Sequence, residues 1–341
     1  MKLNSRCSLF VRALLLEVLF ATALAAKTQT LNASGASFPA PLYQRWFVQY
    51  HGGHPDIQIN FQSIGSGAGI KQFTQGLTDF GASDAAMTDE EMGKIPGGVQ
   101  LLPMTAGSIV IAYNLPGLAA PIRLSREVYP RIFLGTIKQW NDPAIAADNP
   151  GVKLPDLPVT IAYRADGSGT TFNFTHHLAA ISPEFKAQVG AGTLVQWPVG
   201  VGGKGNQGVA ALINQTPGTI GYVEYGYAMT TQLPMAVLQN RDRNFVAATP
   251  ESGAATLSHL QLPDNLRAFD FDPAGPDSYP MVTFTWWLAR RQNSSAGVAQ
   301  AIKAVAVWCL SDGQKLSAEL GYIPLPQVVV DRDLAALENL H

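Results

Sequence analysis

Val159-Thr160-Ile161-Ala162-Tyr163 runs directly into Arg164-Ala165-Asp166-Gly167-Ser168-Gly169-Thr170-Thr171, and Phe172 to Ala180 then takes up helical periodicity. An apolar, β-branched run, a Gly/Ser turn and a helix, in that order, read as the first part of a βαβ unit. The same grammar recurs upstream. Ile57 to Phe61 alternates as a strand does, opens into Gly65-Ser66-Gly67-Ala68-Gly69 and continues as a helix over Ile70 to Gln75. Thr30 to Phe38 leads into a helix from Pro41, on which Leu42, Trp46, Phe47 and Tyr50 share one face. Thr78 to Ser83 reads as a short strand ending at Asp84, and Ser108 to Tyr113 and Met281 to Leu288 read as buried strands. Strands alternating with helices predict an α/β protein with parallel sheets. Ligands in such folds collect outside the carboxyl ends of the strands, so the Gly/Ser turns are where a site is expected.

Composition bounds the rest. The chain has 341 residues, 47% hydrophobic and 14% charged, with 23 Lys+Arg against 25 Asp+Glu. That length accommodates two domains, each with its own core. The balance excludes a disordered polar chain and a strongly basic nucleic-acid binder. Residues 1–26 stand apart: Lys2 and Arg6 precede a largely apolar run that ends in Ala23-Leu24-Ala25, the pattern of a secretory signal peptide cleaved near Ala25 or Ala26. Arg12 and Glu17 break that run into pieces too short to span a bilayer. Export is therefore expected, leaving a mildly acidic mature chain. Cys7 departs with the leader, so Cys309 remains as a lone thiol in an apolar stretch.

Three turns place hydroxyls and glycines ahead of helices: Ser37-Phe38 before Pro39 and Pro41, Ser66 where an N-cap would sit, and Ser168-Gly169-Thr170. Free N–H groups and the positive ends of helix dipoles at three such turns would make an oxyanion site. Arg164 adds a planar fork for an oxygen pair, and Asp166 two residues later can hold that guanidinium in place. Asp84 is paradoxical beside an anion, unless the anion still carries a proton at neutral pH. A carboxylate can accept that O–H, so phosphate qualifies and sulfate does not.

The runs Ala36 to Tyr43, Asp79-Phe80-Gly81-Ala82-Ser83-Asp84-Ala85, Arg164 to Thr170 and Gly218-Thr219-Ile220-Gly221-Tyr222-Val223-Glu224-Tyr225 closely resemble the periplasmic phosphate-binding proteins of ABC-type phosphate uptake systems. The resemblance spans nearly the whole mature chain and is weakest after about Leu238. It implies that the anion is held by Ser37, the backbone N–H of Phe38, Ser66, Asp84, Arg164, Ser168, Gly169 and Thr170, with Asp166 in support. Ser37 stands where the family's usual residue is threonine, and Gly67 where a second serine is common. The implied fold is the type II periplasmic binding protein fold: two α/β lobes, two hinge crossovers and the ligand in the cleft between them. The crossings are expected near Ala106 and Met281, giving one lobe from residues 27–106 and 281–341 and the other from 107–280. The implied role is non-enzymatic: capture of inorganic phosphate and delivery to the membrane permease of an ABC importer, by a monomer with no cofactor or metal.

The other chemistry in the sequence is weak. His176 and His177 are adjacent, point to different helix faces and lack metal-ligand spacing. Gly203-Lys204-Gly205 lacks the Ser/Thr and the spacing of a nucleotide P-loop, so the Gly200 to Gly205 segment reads as a loop at the cleft rim with no assigned contact. A secreted phosphatase is the rival reading. It would want a nucleophile with a base in reach or a two-metal cluster, and Ser37, Ser66 and Ser168 have no sequence-evident base. Glu224, in Tyr222-Val223-Glu224-Tyr225, could face the cleft, but nothing in its spacing shows that.

Overall fold

The computed structural model describes residues 28–118 and 120–341; the expected leader lies outside them. No helix among the described residues is long and apolar enough to cross a membrane.

The strands, in chain order, are β1 (Gln29–Gly35), β2 (Ile57–Ser63), β3 (Phe80–Ser83), β4 (Val99–Tyr113), β5 (Arg123–Leu124), β6 (Thr160–Arg164), β7 (Val201–Gly203), β8 (Thr219–Glu224), β9 (Val237–Gln239), β10 (Phe245–Val246) and β11 (Val282–Arg290). Eight of them form one sheet in the order β2-β1-β3-β11-β4-β8-β6-β7, and β10-β9-β5 form a small second sheet. The expected βαβ units are present: β1 pairs parallel with β2 and β3, and β6 pairs parallel with β7 and β8. The expected parallel sheets are joined at the middle by antiparallel pairings, which the expectation did not include. There β11 runs antiparallel to both β3 and β4, and β4 runs antiparallel to β8.

That arrangement follows from how the chain passes between the two lobes. β4 is a buried strand of 15 residues, where the sequence suggested only Ser108 to Tyr113. As far as Ser108 it pairs with β11; from Ile109 onward it pairs with β8. Ser108 and Val282 are register partners, so outgoing and returning chain lie side by side and run in opposite directions. Full burial of β4 on both faces leaves no alternation to read, and Pro103 and Gly107 interrupt its apolar run.

Side-chain periodicity accounts for the packing. The helix α1 (Ala40–Gly53) buries Leu42, Tyr43, Trp46, Phe47 and Tyr50. Tyr43 and Phe47 meet Trp287 of β11 and Phe61 of β2 ring to ring. Trp286 and Trp287 are core residues, and Cys309 is a free, buried thiol. His177 is likewise structural: its ring bonds the Tyr129 hydroxyl at 2.8 Å and the Phe271 carbonyl at 2.6 Å.

One buried acid has no such partners. Asp333, in the helix Gln327–Ala336, is fully buried, and neither carboxyl oxygen has a hydrogen-bond partner among the described residues. Burial pushes its pKa well above the usual carboxylate range, against the opposing charge of Arg332. The folded state therefore holds a proton there that the unfolded chain releases near pH 4. Its contribution to stability is complete below that pH and is lost as pH rises through the folded pKa. Asp333→Asn is expected to flatten the fall in melting temperature as pH rises above about pH 4; an unaltered slope would contradict this role.

Candidate functional site

Three helices begin at one place. Helix α2 (Ser66–Thr74) follows Gly65, helix α3 (Gly169–Ile181) follows Ser168, and helix α4 (Gly205–Gln215) follows Lys204. α2 and α3 both start earlier than their periodicity suggests, because small residues fill the first turn of each. Ser168 is the N-cap of α3 and accepts from the Thr171 N–H at 3.0 Å. The reading of Ser66 as an N-cap is corrected. Gly65, at φ 91°, holds that position, and Ser66 is the first helical residue. Its hydroxyl is thereby free to turn toward Asp84.

Ser37, Phe38, Ser66, Asp84, Arg164, Ser168, Gly169 and Thr170 are all buried. Arg164, at the end of β6, is held by Asp166 through a two-pronged ion pair, Nε to Oδ1 at 2.8 Å and Nη2 to Oδ2 at 2.5 Å. Its remaining Nη1 lies 3.4 Å from Thr170 Oγ1. Burial raises the Asp166 pKa, but the hydrogen bonds and charge of Arg164 and the Gly205 N–H outweigh it, leaving the group below its ordinary value. Asp166 is thus ionised and neutralised. The backbone N–H groups of Phe38, Gly169 and Thr170 donate to no acceptor among the described residues, as expected where helix ends and turns face a common point.

Asp84 lies just past β3. Oδ1 accepts from Thr285 Oγ1 of β11 at 2.8 Å, Oδ2 lies 3.5 Å from Ser66 Oγ, and its N–H donates to Ser66 Oγ at 3.2 Å. Burial raises its pKa to about 7, against the Thr285 hydrogen bond, the Arg164 charge and the Ser66 hydroxyl. A Cβ added to Gly169 would lie 2.5 Å from Ser66 Oγ and 2.7 Å from Asp84 Oδ2, which brings the second and third turns into direct apposition around this acid.

Direct hydrogen bonds join segments distant in sequence across the site. Gly67 N–H donates to the Gly167 carbonyl at 2.9 Å, Asn173 Nδ2 to the Asp84 carbonyl at 2.8 Å, and the Tyr227 hydroxyl to the Ser37 carbonyl at 2.7 Å. Sequence reasoning did not find Thr285, Asn173 or Asn206. The available signals were a threonine within an otherwise apolar buried strand, an Asn one turn beyond Gly169, and an Asn following Gly205. Glu224 is buried, caps the helix Tyr225–Thr230 by accepting from the Gly226 N–H at 2.8 Å, and leaves Oε2 without a partner among the described residues. Burial raises its pKa well above the carboxylate range.

A PBP superfamily domain is matched over residues 21–313. The phosphate-binding protein PstS of Pasteurella multocida is 40% identical over 327 residues, covering 94% of each chain. PstS of Methanocaldococcus jannaschii is 36% identical over 337 residues, covering 92% of this chain and 87% of the relative. Among solved structures, a phosphate-binding protein from Stenotrophomonas maltophilia superposes with a TM-score of 0.68 at 18% identity, covering 90% of this chain and 93% of that one. At that identity the superposition speaks to the fold, while the sequence relatives speak to kinship. Both agree with the two-lobed α/β architecture seen here, and the chain belongs to the PstS phosphate-binding protein family of the PBP superfamily.

Proposed function

We propose that the protein is an extracytoplasmic receptor that captures inorganic phosphate between its two lobes and delivers it to the membrane permease of an ABC importer, performing no covalent chemistry. The ligand set is Ser37, Phe38 N–H, Ser66, Asp84, Arg164, Ser168, Gly169 and Thr170. One lobe comprises residues 27–106 and 281–341, the other 107–280. The change of β4 from one pairing partner to another at Ser108 and Ile109 supports that division. The working form is a periplasmic monomer released by cleavage near Ala25 or Ala26.

The observation that carries this reading is the pairing of one acid with many donors. Arg164 supplies the positive charge and the helix starts supply N–H groups, whereas Asp84 has an oxygen left to accept a proton from the guest. A monoprotonated phosphate satisfies both sides. Sulfate would meet the ionised carboxylate with no bridging hydrogen, which is exclusion by like charge and an unpaired acceptor.

The Asp84 pKa of about 7 gives this a pH signature. Sulfate requires the protonated acid as a donor, so its affinity should rise about ten-fold per pH unit as pH falls toward 7, then level off. Titration calorimetry with phosphate, arsenate and sulfate at two pH values tests the whole reading. Arsenate, protonated near neutrality, should follow phosphate. Asp84→Asn should abolish the pH dependence of sulfate binding and shrink the phosphate-to-sulfate preference by about ten- to a hundred-fold, the value of a hydrogen bond to a charged group. Unchanged affinities for both anions in that variant would remove Asp84 from the assignment.

A further inference from the structure

We propose that Asn206 is a positioning residue that fixes the hydroxyl protons of Ser37 and Thr170, and so decides where in the site the ligand's own proton can reside. The inference rests on the phosphate reading and extends it to a residue outside the ligand set. Asn206 follows Gly205, at the start of α4, and is completely buried.

The hydrogen bonds leave its amide one orientation. Oδ1 accepts from the Glu224 N–H at 3.0 Å, so Nδ2 faces the opposite way. Nδ2 has two hydrogens, and two hydroxyl oxygens receive them: Ser37 Oγ at 3.0 Å and Thr170 Oγ1 at 3.2 Å. The Asn206 backbone N–H also donates to Ser37 Oγ, at 3.1 Å. Ser37 Oγ therefore accepts twice, and both of its lone pairs are engaged. Thr170 Oγ1 accepts from Asn206 and, at 3.4 Å, from Arg164 Nη1, and is filled in the same way.

A hydroxyl whose lone pairs are both taken can do only one further thing, which is to donate. Ser37 from one lobe and Thr170 from the other thus present donors alone to the anion. A ligand O–H finds no acceptor at either, which confines it to the side of the site that holds Asp84 and the hydroxyls of Ser66 and Ser168, each of which accepts a single hydrogen bond, and among these Asp84 is the carboxylate. Asn206 also ties the lobes together, since its Ser37 contacts cross between them while its Glu224 and Thr170 contacts stay within one.

The test is phosphate titration calorimetry on the full mature chain, wild type and the variants Asn206→Ala, Asn206→Asp, Ser37→Ala and the double variant Ser37→Ala with Asn206→Ala, with thermal melts to register folding. Asn206→Ala keeps the backbone donor and frees one lone pair on each hydroxyl; about a ten-fold loss of affinity is expected, one net hydrogen bond's worth. Because part of that loss passes through Ser37 and the rest through Thr170, the double variant should bind more tightly than the product of the two single losses predicts, a coupling that a merely structural role does not produce. Asn206→Asp preserves the shape but turns the donor into an acceptor, and should bind about ten-fold more weakly than Asn206→Ala. Losses that multiply in the double variant, or an Asp variant that binds as well as the Ala variant, overturn the assignment of Asn206 while phosphate binding by the wild type stands. A wild-type protein that does not bind phosphate overturns the functional reading itself, and this inference with it.

Discussion

Arg164→Met is expected to weaken phosphate binding by about two to four orders of magnitude, because removing one member of a buried ion pair costs about 3–5 kcal/mol and each ten-fold in affinity is about 1.4 kcal/mol. Two effects add. The guanidinium is the positive charge of the set, with Nη1 directed at Thr170, and methionine supplies neither charge nor donor. Asp166 is also left ionised and largely buried, with its side chain 15% exposed and the Gly205 N–H as its remaining hydrogen-bond donor among the described residues. It would then face the incoming anion as an uncompensated negative charge. The second effect predicts a partial rescue: adding Asp166→Asn to Arg164→Met should recover about ten-fold of the loss by removing that charge. Arg164→Lys should fall between wild type and Met, since it keeps the charge but not the fork. Calorimetry on variants with native circular dichroism decides the matter. An Arg164→Met protein that binds phosphate within ten-fold of wild type would end the assignment of this cation.

Gly169→Ala should produce a loss of about ten- to a hundred-fold through shape alone, the effect of overpacking a site by one methyl at about 1–3 kcal/mol. The added carbon would sit 2.5 Å from Ser66 Oγ, 2.7 Å from Asp84 Oδ2 and also 2.7 Å from Asp84 Cβ. The Ser66 hydroxyl can rotate away, but Asp84 Cβ is fixed to a strand end and cannot. Nothing within α3 itself forbids alanine, so each lobe should fold normally and the ligand-free melting temperature should change little. The cost falls on bringing the lobes together. Small-angle scattering should accordingly show a variant that remains extended at phosphate concentrations sufficient to compact the wild type. Equal compaction of both proteins would mean that the lobes do not meet at Gly169.

Much of this was legible in the sequence, and for identifiable reasons. Turns built of Ser and Gly before helices advertise themselves by composition, so Ser37, Ser66 and Ser168 stood out, as did the charged pair Arg164 and Asp166 two residues apart. Short-range signals of that kind survive into the structure because they act locally: Ser168 caps α3 and Asp166 grips Arg164. What escaped was long-range. Thr285 reaches Asp84 from a strand 201 positions away, and Asn206 reaches Ser37 across 169. No periodicity records such a meeting. Ser66 as a cap was a local error, made because the sequence does not display that Gly65 adopts a positive φ. The antiparallel middle of the sheet escaped for a topological reason: the strands that join the lobes are buried on both faces and carry no pattern that reveals their direction.

The place of β11 between β3 and β4 has a consequence for how the molecule comes into being. A nascent chain that has not yet delivered Val282 to Arg290 has β1, β2 and β3 on one side of a missing strand and β4 on the other. Its N-terminal segments, though made first, must wait for nearly the whole polypeptide before they can be zipped to the remainder. Asp84 waits with them, since Thr285 comes from that same late strand. A product that ends before Val282 lacks the strand that closes this gap and carries Thr285 to Asp84, so the arrangement around Asp84 is completed only late in assembly.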